Sequence, residues 1–190
     1  QSYGQIRYQV SENTLSKRGG VDQSVLIKTP NVVRIAREHF GCPNLAGLQL
    51  EDDGKAGTAG SHWEKSLMMT EFMCASSSGF QNVKSSLTLA LMEDTGWYKA
   101  DYSMAETLLR GYKKGCAFDN QPQRCDPAAN NGFCRPQSKF QCNFDRSGMG
   151  KCSQDAYMNG CQVVKPTNGM PVYFCNKFFG RERKWGGSCG

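Results

Sequence analysis

Apolar residues recur at helical spacing in two stretches of the chain. After Thr29-Pro30, apolar side chains at positions 32, 33, 35, 36 and 40 precede Gly41. This pattern predicts a helix with a hydroxyl N-cap, proline at its first position and glycine after its last. A second helix is predicted over residues 85–96, where a serine precedes a broad apolar stripe and glycine follows it. That stripe is wide enough to predict a buried helix.

Weaker patterns predict three further elements. Apolar and polar residues alternate over residues 6–10 and 25–27, which predicts two short strands. Ser103 and Glu106 stand at the spacing of a capping box and predict a short helix that ends near Arg110. Beyond Gly115, apolar periodicity disappears and turn-forming residues dominate. We therefore expect a change of architecture near residue 115.

Ten cysteines indicate a disulfide-bonded protein. Eight of them lie after Gly115, and no two are spaced C-x-x-C, which argues against zinc ribbons and thioredoxin-like motifs. An even count in loop-rich sequence is typical of proteins in an oxidising compartment, so we expect an extracellular or cell-surface protein. The pairing is open. The disulfide candidates, including Cys74 directly after a methionine, are Cys42, Cys74, Cys116, Cys125, Cys134, Cys142, Cys152, Cys161, Cys175 and Cys189.

Composition narrows the classes of partner. With 38% hydrophobic and 21% charged residues, the chain is globular rather than disordered. The net charge of +6 is spread out, and residues 177–185 form the densest basic cluster, so we expect no nucleic-acid partner. No apolar run approaches the roughly 20 residues of a membrane span. The acidic run Glu51-Asp52-Asp53 lacks the alternating oxygen ligands of a calcium loop, which favours a solvated turn.

Residues 57–73, with the sequence GTAGSHWEKSLMMTEFM, carry the candidate chemistry. His62 follows a run of small residues that permits close backbone approach and unusual dihedral angles. Residue types alone leave two interpretations open, a metal ligand and a hydrogen-bonded structural histidine. The other histidine, His39, falls at the end of the first predicted helix, where a cationic ring at the surface would suit the helix dipole.

The segments GTAGSHWEK, TEFM, SSLTLALMEDTGWYKADYSMAE and GCAF together resemble the leishmanolysin family of metzincin zinc metallopeptidases. The resemblance extends from about Thr29 to Cys189. It implies that His62 is the third zinc ligand and that Met73 is the methionine of the Met-turn beneath the metal. The implied α+β fold is a metzincin-type C-terminal catalytic subdomain, mainly helical with long loops, over residues 29–114. A disulfide-rich, loop-dominated module follows over residues 115–190.

One motif of that family is missing from this sequence. The zinc site requires H-E-x-x-H, in which the glutamate activates the metal-bound water, and the chain has only His39 and His62. By resemblance, residues 1–28 are the tail of a family-specific insertion. We therefore expect the other two ligands and the general-base glutamate upstream of Gln1, and no catalytic residue within the chain. The 190 residues alone are predicted to be inactive.

Two functions follow. The first is the C-terminal part of a secreted or cell-surface zinc metalloendopeptidase that cleaves protein or peptide substrates, with an upstream portion of the same protein as its partner. Residues 59–61 and 76–80 would then be candidates for the cleft walls. The alternative is a catalytically inactive, disulfide-stapled surface or adhesion protein that keeps the leishmanolysin fold. Any membrane anchor is expected in a segment outside this chain, which shows no attachment signal.

Overall fold

Helices and antiparallel strands alternate along the chain, which gives it an α+β architecture. The computed structural model describes residues 8–15, 21–54, 57–76, 82–120, 125, 132–136 and 139–167. Its helices are α1 (Pro30–Phe40), α2 (Lys65–Met68), α3 (Ser86–Asp94) and α4 (Cys116–Asn120), with a 3-10 turn at Tyr102–Met104. Its strands are β1 (Tyr8–Leu15), β2 (Val21–Ile27), β3 (Leu48–Gln49), β4 (Gln141–Cys142), β5 (Met149–Gln154) and β6 (Gln162–Pro166).

The larger core lies between α1, α3 and the first sheet. Strands β1, β2 and β3 pair antiparallel in that order, so the strands predicted near residues 6–10 and 25–27 are part of one hairpin. Buried apolar side chains of α1 and α3 meet the β3 region and α2 in this core, and among them Val32, Phe40, Trp63, Met68 and Leu87 are fully enclosed. Burial of these faces is the main stabilising contribution.

Helix α1 begins and ends where its sequence indicates, but its N-terminal cap differs from the prediction. The Thr29 side chain makes no capping hydrogen bond. Instead, the Asp94 carboxylate at the end of α3 accepts from the backbone N–H groups of Asn31 and Val32. Gly41 closes the helix with a φ of +69°, in the left-handed region that glycine tolerates. A tertiary contact thus replaces the expected local cap.

Helix α3 confirms the second predicted helix, with Ser85 as its N-cap. The short helix predicted from Ser103 is wrong. The chain there forms only the 3-10 turn, which Asp101 caps by accepting from the Ser103 N–H, and Ala105 after it is extended. The Glu106 carboxylate, which the capping-box pattern assigned to Ser103, instead accepts from the Lys84 N–H at 2.8 Å.

The C-terminal part of the chain contains more regular structure than the loops expected there. Strands β4, β5 and β6 form a second antiparallel sheet. A small core of Met69, Phe133, Met158, Cys161 and Val163 packs beside it, with Phe144 partly buried at its edge. The division of the chain near residue 115 stays a prediction.

Disulfides join both parts of the molecule. Cys42–Cys116 links the end of α1 to the start of α4, while Cys125–Cys161 and Cys134–Cys152 lie in the C-terminal part. Cys142 is also disulfide-bonded. Cys175, Cys189 and the basic residues 177–185 lie outside the described residues. Among the helices that the structure describes, none has the length and apolar character needed to cross a membrane.

Candidate metal-ligand segment

The imidazole of His62 is held through one of its two nitrogens. Its Nδ1 lies 2.9 Å from the Ser61 hydroxyl and 3.3 Å from the Thr58 carbonyl oxygen. The Thr58 carbonyl oxygen can only accept, and the Ser61 hydroxyl has two other acceptors within reach, the Gly57 and Thr58 carbonyl oxygens at 2.9 and 3.1 Å. We therefore assign the ring proton to Nδ1, which donates to Ser61 and Thr58. This tautomer leaves the lone pair of Nε2 available, which is the arrangement that a metal-binding histidine requires.

The small residues before His62 are needed for backbone conformation. Gly57 and Gly60 have φ angles of +102° and +75°, which L-residues with a Cβ rarely adopt. A Cβ added at either glycine would have no neighbour within 4 Å. The expectation of unusual dihedral angles is thus confirmed, whereas close backbone approach is not found at these two positions.

The backbone after His62 is hydrogen-bonded directly to the turn that contains Met73. Trp63 N–H donates to the carbonyl oxygen of Met73 at 3.1 Å, and Trp63 forms isolated bridges with Leu50 and Cys74. The indole is fully buried and donates its N–H to the Thr88 hydroxyl at 2.9 Å. The structure therefore brings His62 and the segment of Met73 together, although they are eleven residues apart.

Sequence reasoning missed Glu71, a buried carboxylate that organises the Met73 turn. One of its oxygens accepts from the Met73 N–H. The other accepts from the Ser85 N–H and hydroxyl at the start of α3 and from the Thr88 hydroxyl at 2.6 Å. Since Thr88 also accepts from Trp63, this one side chain links the Met73 turn, α3 and the residue next to His62. Burial raises the pKa of Glu71, and these hydrogen bonds oppose that shift. A signal was present, namely a lone acidic residue in the apolar run MMTEFM.

The acidic run near Glu51 differs from its prediction as a solvated turn. Glu51 is 2% exposed, and it accepts from the Lys65 and Asp53 N–H groups. Burial and the nearby Glu64 raise the pKa of Glu51 to about 8. Glu64 caps α2 by accepting from the Ser66 N–H at 3.0 Å. Both carboxylates are thus buried because they satisfy backbone donors at the start of α2.

Within the described ranges, the one group of three potential metal ligands is Glu51, Asp52 and Glu64, whose ligand atoms lie within 4.8 Å of one another. Two of these carboxylates already serve as backbone acceptors, and zinc prefers nitrogen and sulfur donors. This group therefore does not fit zinc. His62 does fit as one zinc ligand, because its Nε2 lone pair is available while Nδ1 is fixed.

Cys74 corrects the expectation that this residue is disulfide-bonded. It is a free thiol beside Met73, and burial raises its pKa well above the ordinary value, with the nearby Glu71 carboxylate acting in the same direction. Cys74 is half-buried against the larger core, and a thiol that stays protonated is a poor nucleophile. The Met73 turn is therefore held by the Glu71 hydrogen bonds rather than by a disulfide at Cys74.

His39 also departs from the surface position that its sequence suggests. The ring is half-buried at the end of α1, and its Nε2 lies 2.7 Å from the Arg110 carbonyl oxygen, to which it donates. Burial lowers the pKa of His39, with a smaller contribution in the same direction from Lys113. The ring is therefore a neutral structural group, and the histidine available as a ligand is His62.

The candidate cleft walls remain predictions. Ala59 and Ser61 are exposed beside His62, but the Ser76 hydroxyl is bonded to the Lys65 ammonium group at 2.6 Å. Residues 77–80 lie outside the described residues.

Comparison with known proteins identifies the family. The family model of leishmanolysin, a peptidase family, matches residues 5–188. A leishmanolysin-like peptidase of Drosophila pseudoobscura pseudoobscura is 47% identical over 114 residues, which cover 60% of this chain and 16% of the relative. A leishmanolysin homolog of Crithidia fasciculata is 38% identical over 145 residues, or 74% of this chain and 22% of the relative.

A leishmanolysin of Leishmania chagasi is 36% identical over 166 residues, which cover 74% of this chain and 27% of the relative. The chain thus spans about a quarter or less of the length of these relatives. Because the family model matches nearly all of its residues, the chain belongs to the leishmanolysin family of metallopeptidases.

Proposed function

We propose that this chain is the part of a zinc metalloendopeptidase that supplies one imidazole ligand and the Met-turn. The observation that supports it is the His62 ring, which is fixed through Nδ1 and keeps its Nε2 lone pair available. Two further histidines and a general-base glutamate would come from the rest of the same protein. Bound zinc supplies Lewis-acid polarisation of the scissile carbonyl and lowers the pKa of a bound water.

The chain's own residues hold and orient that ligand. Thr58 and Ser61 accept the Nδ1 proton, which fixes the tautomer and the ring plane. The Trp63 N–H to Met73 bond joins the ligand segment to the Met-turn, and Glu71 fixes the turn to α3. Met73 itself is half-buried against the large core, so its thioether would form an apolar floor. A thioether is too soft to compete for zinc among imidazoles.

The disulfides support the proposed location. Three complete disulfides in the described part of the chain indicate folding in an oxidising compartment, so the protein would act outside the cell or at its surface. Its substrates would be proteins or peptides.

Separate substitutions of the two histidines in the intact protein test the proposal. We expect His62→Ala to lose the bound zinc, measured by elemental analysis, and with it the hydrolysis of a peptide substrate. His39→Gln is the matched control, because a glutamine amide can still donate to the Arg110 carbonyl and the residue is not a ligand. It should keep about one zinc per molecule. A wild-type protein without zinc or hydrolysis would favour the inactive structural relative instead.

A further inference from the structure

The segment that follows His62 is enclosed on all sides. Every residue from 63 to 71 is buried, and Glu64 and Lys65 among them are fully inaccessible. Burying charged groups is costly unless they find partners, so their contacts show what the segment is built against.

Besides Ser76 and the Ser66 N–H, those partners include residues of the turn between β5 and β6, about 90 positions further along the chain. The Lys65 ammonium group lies 3.1 and 3.2 Å from the two oxygens of Asp155, whose side chain is 3% exposed. Asn159 donates its side-chain amide to the Glu64 carboxylate at 2.6 Å. Both ends of this turn therefore bind the two residues that begin α2.

The turn is itself rigidly held. Asp155 accepts from the Tyr157 N–H at 3.1 Å, and Asn159 has a φ of +56°, which asparagine tolerates better than most residues. Between them, Met158 is fully buried in the small core, where it packs with Met69 at the end of α2. The Cys125–Cys161 disulfide fastens the residue that follows the turn. Polar contacts to Glu64 and Lys65 and an apolar contact to Met69 thus all join α2 to the β5–β6 turn.

We propose that the β5–β6 turn positions the zinc ligand, with Asp155 and Asn159 as positioning residues. The inference rests on the proposed function of His62. Lys65 lies three residues after His62, and both bind the same residue: the His62 carbonyl accepts from the Glu51 N–H at 2.8 Å, and the Lys65 N–H donates to the Glu51 carboxylate at 3.2 Å. A shift of α2 would therefore also move the backbone of His62. Loss of residues that orient a metal ligand typically lowers metal affinity or activity ~10–100-fold.

Two variants of the intact, zinc-loaded protein test this role. Asn159→Gly removes the amide donor to Glu64 and keeps the positive φ accessible. Lys65→Met combined with Asp155→Leu removes the ionic link, together with the Asp155–Lys165 pair and the Lys65 hydrogen bond to Ser76, but keeps apolar volume, an exchange that buried pairs often tolerate. The matched control is Lys113→Gly, at another residue of positive φ, which donates a side-chain hydrogen bond to the Glu38 carbonyl.

The rate of zinc release to excess chelator is the primary measurement, with hydrogen exchange of residues 62–66 and the melting temperature beside it. We expect both test variants to release zinc ~10–100-fold faster and to lose kcat at unchanged KM, while still folding. Lys113→Gly should release zinc at the wild-type rate.

The outcomes separate the two proposals. Folded test variants that release zinc at the wild-type rate overturn the positioning role and leave the zinc site intact. Zinc retention by His62→Ala, or a wild-type protein that takes up no zinc, overturns both.

Discussion

Replacing Glu71 by glutamine would remove a single acceptor from the turn that carries Met73. The oxygen that faces Ser85 and Thr88 is retained as the amide carbonyl, so its three hydrogen bonds survive. The oxygen that accepts from the Met73 N–H becomes an NH₂ group, which places two donors against each other. The perturbation is therefore confined to the Met73 turn.

The expected loss in the free energy of unfolding follows from these contacts. A lost hydrogen bond to a charged acceptor costs about 1.5–3 kcal/mol, and the neutral amide recovers part of the desolvation that raises the pKa of Glu71. We expect a net loss of about 1 kcal/mol in the free energy of unfolding. Glu71→Ala removes the acceptor of all four donors and should cost about 4 kcal/mol or more, at about 1 kcal/mol for each donor.

Hydrogen exchange followed by mass spectrometry measures the effect where it arises. Exchange in the peptide over residues 71–76 should become about fivefold faster in Glu71→Gln, because a loss of about 1 kcal/mol in the free energy of local opening corresponds to a factor of about five. Glu38→Gln is the matched control, since that carboxylate belongs to an exposed pair with Arg34 and should change stability by less than about 0.5 kcal/mol. Unchanged exchange over residues 71–76 would refute the role assigned to Glu71.

Three further predictions concern other buried groups. Burial lowers the pKa of His39 in the folded protein. The contribution of the neutral His39 ring to the free energy of unfolding is therefore complete above the ordinary pKa of 6.5 and is lost as the pH falls through the lowered pKa. Urea unfolding between pH 7.5 and 5 should thus show a decline that His39→Gln lacks, and parallel curves would contradict it. Arg110 lies 4.8–5.7 Å from the ring centres of Phe118, Phe133 and Phe144 and donates to the Ser66 carbonyl. Arg110→Met should therefore cost about 3 kcal/mol in thermal unfolding, and Arg110→Lys nearly as much, since a lysine ammonium lacks the planar stacking surface; wild-type stability in the methionine variant would show that desolvation offsets these contacts. The half-buried Cys74 thiol, whose pKa is raised, should react slowly with iodoacetamide at pH 8 in the native protein and faster after denaturation, as read by peptide mass spectrometry; equal labelling rates in the two states would contradict the raised pKa.

The positions that sequence reasoning predicted well are those governed by local rules. Helices α1 and α3 begin and end at their proline, serine and glycine signals, because capping and backbone dihedral preferences act within one turn. The family also followed from the sequence, since several spaced motifs matched at once and the family model covers residues 5–188.

The predictions that failed depended on competition between distant groups. Ser103 and Glu106 have the spacing of a helix start, yet Glu106 binds Lys84 from another segment. The acidic run at Glu51 looks solvated in sequence, but its first carboxylate is drawn inward by backbone donors at α2. Cys74 lies where a disulfide was expected, and its thiol is free.

The sequence by itself determined the family, the two long helices and the identity of His62 as the candidate ligand. Only the tertiary structure decided which imidazole nitrogen stays available, how Glu71 ties the Met73 turn to α3, and that Asp155 and Asn159 reach the segment after His62. The physical reason is the distance along the chain over which each interaction acts. Dihedral and capping preferences are set by neighbours in the chain, whereas a buried polar group must find its partner wherever the folded backbone places one.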